Sequence, residues 1–416
     1  MSSKRERMTL EVHLDAAELG PLRRVGFIHK SFARGDAPIS FEYDRDWLAS
    51  GAAFMLDPRL DLFSGEQHSP PPRSFGILTD SAPDRWGKVL MERREGARAA
   101  QEHRAPRTLH EIDFLLGVQD LTRTGALRFF DPGRQVYLDD GEPGVPPVTD
   151  LRELARVSSR LEEPGIEKLP ELERLLAVLI APGSSLGGAR PKANFKEGRA
   201  LWIAKFPSRG DRYDVGGWEY LVHRLASASK VEVPEANLAR LSEQYRTFRV
   251  RRFDRRGAAR RMFSSAMTLL EKADGESASY LDLAQFISDQ GARDHIEEDL
   301  EQLFRRVLFN VVVGNRDDHL RNHGFIRDST GWRLAPAYDL NPNPFRAEHV
   351  LTLDGSSAAP DVPTVMRTAE LYRVEETAAS RIRGEVERAV SRWKKEAAKL
   401  DLGRDEIARM AAVFES

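Results

Sequence analysis

Residues 311–326 read VVVGNRDDHLRNHGFI. Just upstream, Leu303, Phe304, Val307, Leu308, Val311 and Val312 recur at helical spacing and predict a buried helix. Gly314-Asn315 is the expected stop. The polar stretch beyond it sets the carboxylate of Asp317 five positions before the amide of Asn322. A carboxylate can take a proton from a hydroxyl, and an amide oxygen can reach a hard cation. The plainer account makes Asp317 and Asp318 turn and capping residues after the glycine. Spacing alone does not choose between them.

Three further features fall in a telling order along the chain. LAPAYDLNP (Leu334–Pro342) places Asp339 seventeen residues beyond Asn322, at the end of a short predicted strand. By itself it reads as a turn residue. Upstream, Ala200–Phe206 predicts a strand with Leu201, Ile203 and Lys205 on one face. Only 12 of the 63 basic residues are lysine, so Lys205 stands out there. It either snorkels to the edge or meets an anion. Glu219, fourteen residues on, sits beside Trp218 in a helix marked by Trp218, Leu221, Val222 and Leu225. Before the strand comes the loop GSSLGGARPK (Gly183–Lys192), whose glycines allow backbone N–H groups to approach an anion or simply make a turn. It lacks the Lys-Ser/Thr of a Walker loop. Phosphate loop, strand lysine, helix acid, Asp-x4-Asn and a late carboxylate are the order a two-lobed phosphoryl-transfer enzyme requires.

Composition narrows the field. The 416 residues balance 63 Lys+Arg against 65 Asp+Glu, with 41% apolar residues. That argues for two or three folded domains and against a disordered or globally basic chain. With no cysteine, disulfides, thiolate zinc sites and a Cys nucleophile are excluded. MSSKRERMTL lacks a secretory apolar core, and the longest apolar run, Leu175–Ala181, is too short to span a bilayer, so a cytoplasmic protein without membrane partners is expected.

The rest of the chain predicts a mixed α/β front portion joined near residue 253 to a helical back portion. Strands are expected at Leu22–His29, Gly125–Phe130 and Tyr245–Phe253. Helices are expected at Asp84–Arg94, from a Thr108/Glu111 capping box to about Leu116, at Asp150–Leu161, at Leu169–Ile180, and twice near the C-terminus. The run RRFDRRGAARR (Arg251–Arg261) reads as a solvated linker before it reads as a nucleic-acid contact. His319 and His323 are four apart, but Leu320 stands where a zinc helix needs glutamate.

Taken together, GSSLGGARPKANF, IAKFP, GGWEY, VRRFDR, GNRDDHLRNHGF and LAPAYDLNP resemble the successive motifs of the HipA family, serine/threonine kinases that act as toxins in bacterial toxin–antitoxin systems. FGILTDSAPDRWGKVLMERRE (Phe75–Glu95) and LLGVQDLTRTGALRF (Leu115–Phe129) resemble its N-terminal portion, so the likeness spans nearly the whole chain.

The resemblance implies an α+β, two-lobed, protein-kinase-like fold with a mixed α/β N-lobe and an all-helical C-lobe. Its parts would be residues 1–130 as the N-terminal subdomain, 131–253 as the rest of the ATP-binding lobe and 254–416 as the catalytic lobe. It implies ATP and Mg2+ as cofactors. Gly187, Gly188, Ala189, Arg190, Pro191 and Lys192 would cover the phosphates, Lys205 would contact them and Glu219 would pair with it. Arg251, Arg252 and Phe253 would lie at the adenine hinge. Asp317 would be the catalytic base, with His319, Leu320, Arg321 and Asn322 completing the loop, Tyr338 beside the nucleotide, and Asn322 and Asp339 holding the metal. Ser185, or its neighbour Ser184, would be the autophosphorylated serine that silences the enzyme. Partners would be a small helix-turn-helix, HipB-like antitoxin, operator DNA only through it, and a protein substrate such as an aminoacyl-tRNA synthetase or another translation factor. Arg251 stands where the family carries an acidic residue. Asp318 stands at a position often glycine, where it could titrate together with Asp317. A rival from another class is a catalytically weak relative serving mainly as co-repressor with the antitoxin.

Overall fold

A computed structural model describes residues 7–31, 39–69, 74–83, 85–139, 145–163, 166, 172, 175–176, 178–179 and 190–415. The chain divides into two compact units, Met1–Ala204 with Asp254–Ser264, and Lys205–Phe253 with Ser265–Ser416.

The first unit is built on a six-stranded antiparallel sheet. Its order is Glu66–His68, Ile39–Tyr43, Arg23–Ser31, Arg7–Leu14, Leu127–Asp131, Val136–Tyr137. In Arg7–Leu14 the alternation is plain: Leu10, Val12 and Leu14 are buried and their neighbours half-exposed. Helices Arg85–Gln101, Glu111–Leu116 and Leu151–Leu161 belong to the same unit. The expected Asp84–Arg94 helix therefore runs about two further turns, to Gln101. The second expected helix begins later than Thr108. Asp113 accepts the His110 N–H at 3.0 Å, so the cap is His110 and Asp113, immediately before the apolar Ile112, Phe114 and Leu115. Of the expected Leu169–Ile180 helix, Leu172, Leu175, Leu176 and Leu179 are described and buried, Val178 is described and half-buried, and the rest lies outside the described residues. Lys192–Glu197 and Ala200–Lys205 are neighbouring strands turned at Gly198, where φ is +60°.

The arginine run is not a solvated linker. Arg252, Arg255 and Arg260 are buried. Within the first unit, Arg255 donates to Asp254 at 2.7 Å and to the Arg123 carbonyl at 2.6 Å, while Arg260 reaches Asp120 at 3.1 Å. Carboxylates and turn carbonyls at 120–125 absorb cations that linear charge counting assigns to water.

The second unit pairs Ala236–Ala239 with Thr247–Arg251 and sets helix Val215–Ala228 with a helical body. That body contains Tyr280–Gln290, Ile296–Val312, Glu376–Val390, Trp393–Lys399 and Arg404–Phe414. The C-terminal region is helical as expected, with one short hairpin, Gly324–Arg327 against Trp332–Leu334, lying in sequence between Asn322 and Asp339. Trp393 stacks on Phe414 with ring centres 4.7 Å apart, and Trp218 packs 6.3 Å from each. Trp218 Nε1 donates to Glu406 at 2.8 Å, so the indole is buried without an orphaned donor. Among the described residues no helix is long and apolar enough to cross a membrane.

Candidate active site

The second unit holds most of the residues the sequence singles out. Lys205 ends its strand, and its ammonium donates to Glu219 Oε1 at 2.5 Å and to Asp339 Oδ1 at 2.7 Å. Glu219 is on the buried face of Val215–Ala228, a helix capped by Asp214, whose side chain accepts the Gly217 N–H at 2.9 Å. Burial works against the Lys205 charge, but the two carboxylates outweigh it and raise its pKa. The lysine therefore has two anionic partners and does not snorkel.

Asp339 has φ +59°, a left-handed backbone that aspartate tolerates better than most side chains. The residue before it, Tyr338, donates its hydroxyl to the Arg321 carbonyl at 2.8 Å and stacks on Phe253 at 5.4 Å. Asn343 N–H closes on the Gly314 carbonyl at 2.9 Å. The segment carrying Asp339 is thus bonded at both ends to the segment carrying Asp317 and Asn322.

Leu320–Asn322 is a single 3-10 turn, with Asn322 N–H donating to the His319 carbonyl at 2.8 Å. Asn322 Nδ2 points to the Asp317 carbonyl at 3.4 Å. The Asp317 carboxylate is exposed and meets Arg346 at 3.2 Å. His319 takes part in the loop through its backbone carbonyl, which accepts the Asn322 N–H, while its ring Nδ1 is buried with no hydrogen-bond partner among the described residues. Leu320 is buried, and Arg321 is exposed and paired with Asp274 at 2.6 Å.

Asp318 and Asp317 do not share an environment. Asp318 is buried, and its Oδ2 accepts from Tyr280 Oη, Asn310 Nδ2 and His323 Nε2, each at 2.7 Å. Burial alone would raise its carboxyl, yet His323, Tyr280 and the Arg306 charge hold it below the usual carboxylate range. The sequence analysis missed Tyr280, Asn310 and Arg346, and weighed His323 only as a zinc ligand. A polar Asn310 on an otherwise apolar helix face is the signal that could have found Tyr280, Asn310 and the role of His323.

Of the remaining expected positions, Arg251 is exposed near Glu235 at 3.4 Å, and Arg252 is buried. Pro191 and Lys192 are buried in the first unit beside half-exposed Arg190, and the Lys192 carbonyl accepts from Trp86 Nε1 at 3.2 Å. Ser184, Ser185, Gly187, Gly188 and Ala189 lie outside the described residues.

Chemically, the unit offers a lysine between two carboxylates and, one hydrogen-bonded segment away, an exposed carboxylate with an adjacent amide. Among the described residues no group of three or more His, Cys, Asp or Glu side chains is arranged to hold a metal ion by itself. The oxygen donors of Asn322 and Asp339 suit a hard cation that takes few protein ligands and fills its shell with phosphate oxygens and water, as Mg2+ does.

Residues 184–393, half of the chain, match the family defined by the HipA-like C-terminal domain. The chain belongs to this family. It is 32% identical over 137 residues to a Haemophilus influenzae protein that carries a provisional kinase name, an alignment covering 29% of this chain and 39% of that relative. The chain thus matches about two fifths of that protein's length. Its fold is similar to that of Shewanella oneidensis HipA, solved in a complex with HipB and operator DNA, with a TM-score of 0.63 at 17% identity over 98% of this chain and 96% of that one. The likeness establishes a two-lobed HipA-like fold for a chain with few shared residues.

Proposed function

We propose that this HipA-family chain is an ATP- and Mg2+-dependent protein serine/threonine kinase. One observation carries the reading: Lys205 lies between Glu219 and Asp339, and Asp339 is on a segment bonded to the Asp317–Asn322 loop. A scaffold has no physical need to bring a lysine, two acids and an Asp-x4-Asn loop together in this way.

In this reading Glu219, buried and immobile, orients Lys205 toward nucleotide phosphates. The phosphate oxygens compete with Asp339 for that ammonium. Asp317 lies exposed, where a protein hydroxyl can reach it, and accepts or orients the hydroxyl proton. Asn322 and Asp339 would hold the divalent cation, which when bound neutralises charge developing on the transferred phosphoryl group. Phe253, stacked on Tyr338, supplies an aromatic wall beside the base, with Arg251 and Arg252 contributing backbone. Residues 131–253 then make up the nucleotide-binding part and 254–416 the catalytic part.

The family resemblance supports a toxin role, cytoplasmic location, self-silencing at Ser185 or Ser184, and protein substrates among translation factors. The partnership of the Shewanella oneidensis protein with HipB and operator DNA supports a helix-turn-helix antitoxin as partner here. It equally favours the second reading, a co-repressor with little catalysis. Transfer of labelled γ-phosphate separates them. The wild-type chain labels itself with Mg2+ present, and Asp317→Asn loses at least about 10²-fold. Ser184→Ala/Ser185→Ala reduces the label. A wild-type chain that binds the antitoxin but transfers nothing establishes the co-repressor.

A further inference from the structure

Asp317 and Asn322 are useful to phosphoryl transfer only at a set separation, and a six-residue loop with a single 3-10 turn does not hold one unaided. The residues immediately after each of them, Asp318 and His323, are bonded to each other. His323 Nε2 donates to Asp318 Oδ2 at 2.7 Å, and both side chains are buried. The five-residue spacing of Asp317 and Asn322 is thus repeated by the buried pair directly beside them.

The buried pair is in turn tied to the helical body. The same Oδ2 accepts from Asn310, at the end of Ile296–Val312, and from Tyr280, at the start of Tyr280–Gln290. Asn310 uses its other side-chain atom too, since its Oδ1 accepts from Asn315 at 3.1 Å. The Tyr280 ring meets the His323 ring edge-on at 5.8 Å, and the His323 carbonyl accepts from Ala266 N–H at 2.8 Å. Three donors on one buried oxygen leave the carboxylate a single favourable position, because displacing it would orphan them all. By contrast, the Asp317 side chain is exposed and pairs with an exposed Arg346.

We propose that Asp318 and His323 are positioning residues for phosphoryl transfer: their buried hydrogen bond, anchored by Tyr280 and Asn310, sets the distance between Asp317 and Asn322. Neither touches substrate. The inference rests on the kinase reading above and deepens it, by naming the device that keeps the loop in register.

The test is made on the full chain, with ATP, Mg2+ and γ-phosphate transfer as readout. His323→Phe removes the donor and keeps a ring. It lowers kcat by about 10²-fold, the scale of a 1 Å misplacement, while KM for ATP moves less than about threefold because Lys205 is untouched. His323→Gln restores a donor at similar reach and recovers kcat to within about fivefold of wild type. Tyr280→Phe removes one of three donors, lowers kcat about threefold to tenfold, and decides the question should His323→Phe fail to fold. The proposal is overturned if folded His323→Phe, or in its absence Tyr280→Phe, turns over at the wild-type rate. It is equally overturned if Gln falls as far as Phe, or if KM for ATP rises as much as kcat falls. Failure of the kinase reading looks different: wild type transfers no phosphate, or Asp317→Asn transfers as well as wild type, whatever the state of residue 323.

Discussion

Lys205 Nζ lies 2.7 Å from Asp339 Oδ1 although 134 positions separate them in the chain, and the same ammonium is 2.5 Å from Glu219. One cation thus neutralises a carboxylate from a helix and another from a late loop. Glu219 is the more dependent of the two, because its side chain is only 5% exposed.

Removing that cation strips the Lys205 ammonium from a buried carboxylate. Lys205→Met is therefore expected to destabilise the protein by about 2–4 kcal/mol. Lys205→Met/Glu219→Leu recovers most of that loss, because no charge remains buried, but does not recover nucleotide binding. Urea midpoints alongside titration with a fluorescent ATP analogue check both halves.

Asp339 separates a backbone effect from a charge effect. Asparagine accepts a φ of +59° and alanine does so poorly. Asp339→Asn should be more stable than Asp339→Ala by about 1–2 kcal/mol, while both lose phosphate transfer by at least about 10²-fold. Equal stability in thermal melts would show that the left-handed geometry is not native.

His349 supplies a pH dependence. It is buried, and burial pushes it down to about 4. The unfolded chain, with a pKa near 6.5, binds this proton first as pH falls. Stability from neutral His349 is therefore complete above about pH 6.5 and is lost between there and pH 4. By pH 4.5 the loss is about 2–3 kcal/mol. His349→Leu should flatten that limb in urea midpoints taken at pH 7.5 and 4.5, and an unchanged slope would contradict it.

Gly314 ends the buried helix with φ +64°, and a Cβ there would come within 2.0 Å of Val413 Cγ1. Gly314→Ala should cost roughly 2–4 kcal/mol, combining backbone strain with overpacking against the last helix. Gly314→Ala/Val413→Ala relieves the clash alone, so about 1 kcal/mol of backbone cost persists beyond that of Val413→Ala. Thermal melts of the three variants resolve the two contributions.

Local pattern was legible where one face of an element is buried. The apolar stripe of Ile296–Val312, the strand Ala200–Lys205 and the stop at Gly314 all follow from period and from a glycine's freedom. Linear charge counting misread Arg255 and Arg260, because the Arg123 carbonyl that Arg255 meets and the Asp120 carboxylate that Arg260 meets are remote in sequence. The Thr108 box competed with His110 and Asp113 at the same spacing, and the apolar residues that follow favoured the later cap.

Residue order alone marked Lys205, Glu219, Asp317, Asn322 and Asp339 as chemically suited groups, because, though several are ordinary one by one, together they follow the sequence a phosphoryl-transfer site requires. That Lys205 is paired rather than snorkelled, and that Asp317 is open while Asp318 is enclosed, was decided by the folded chain. Two adjacent aspartates are identical as letters. Burial beneath Tyr280, Asn310 and His323 makes one of them a fixed anchor, and exposure to solvent leaves the other free to meet a hydroxyl.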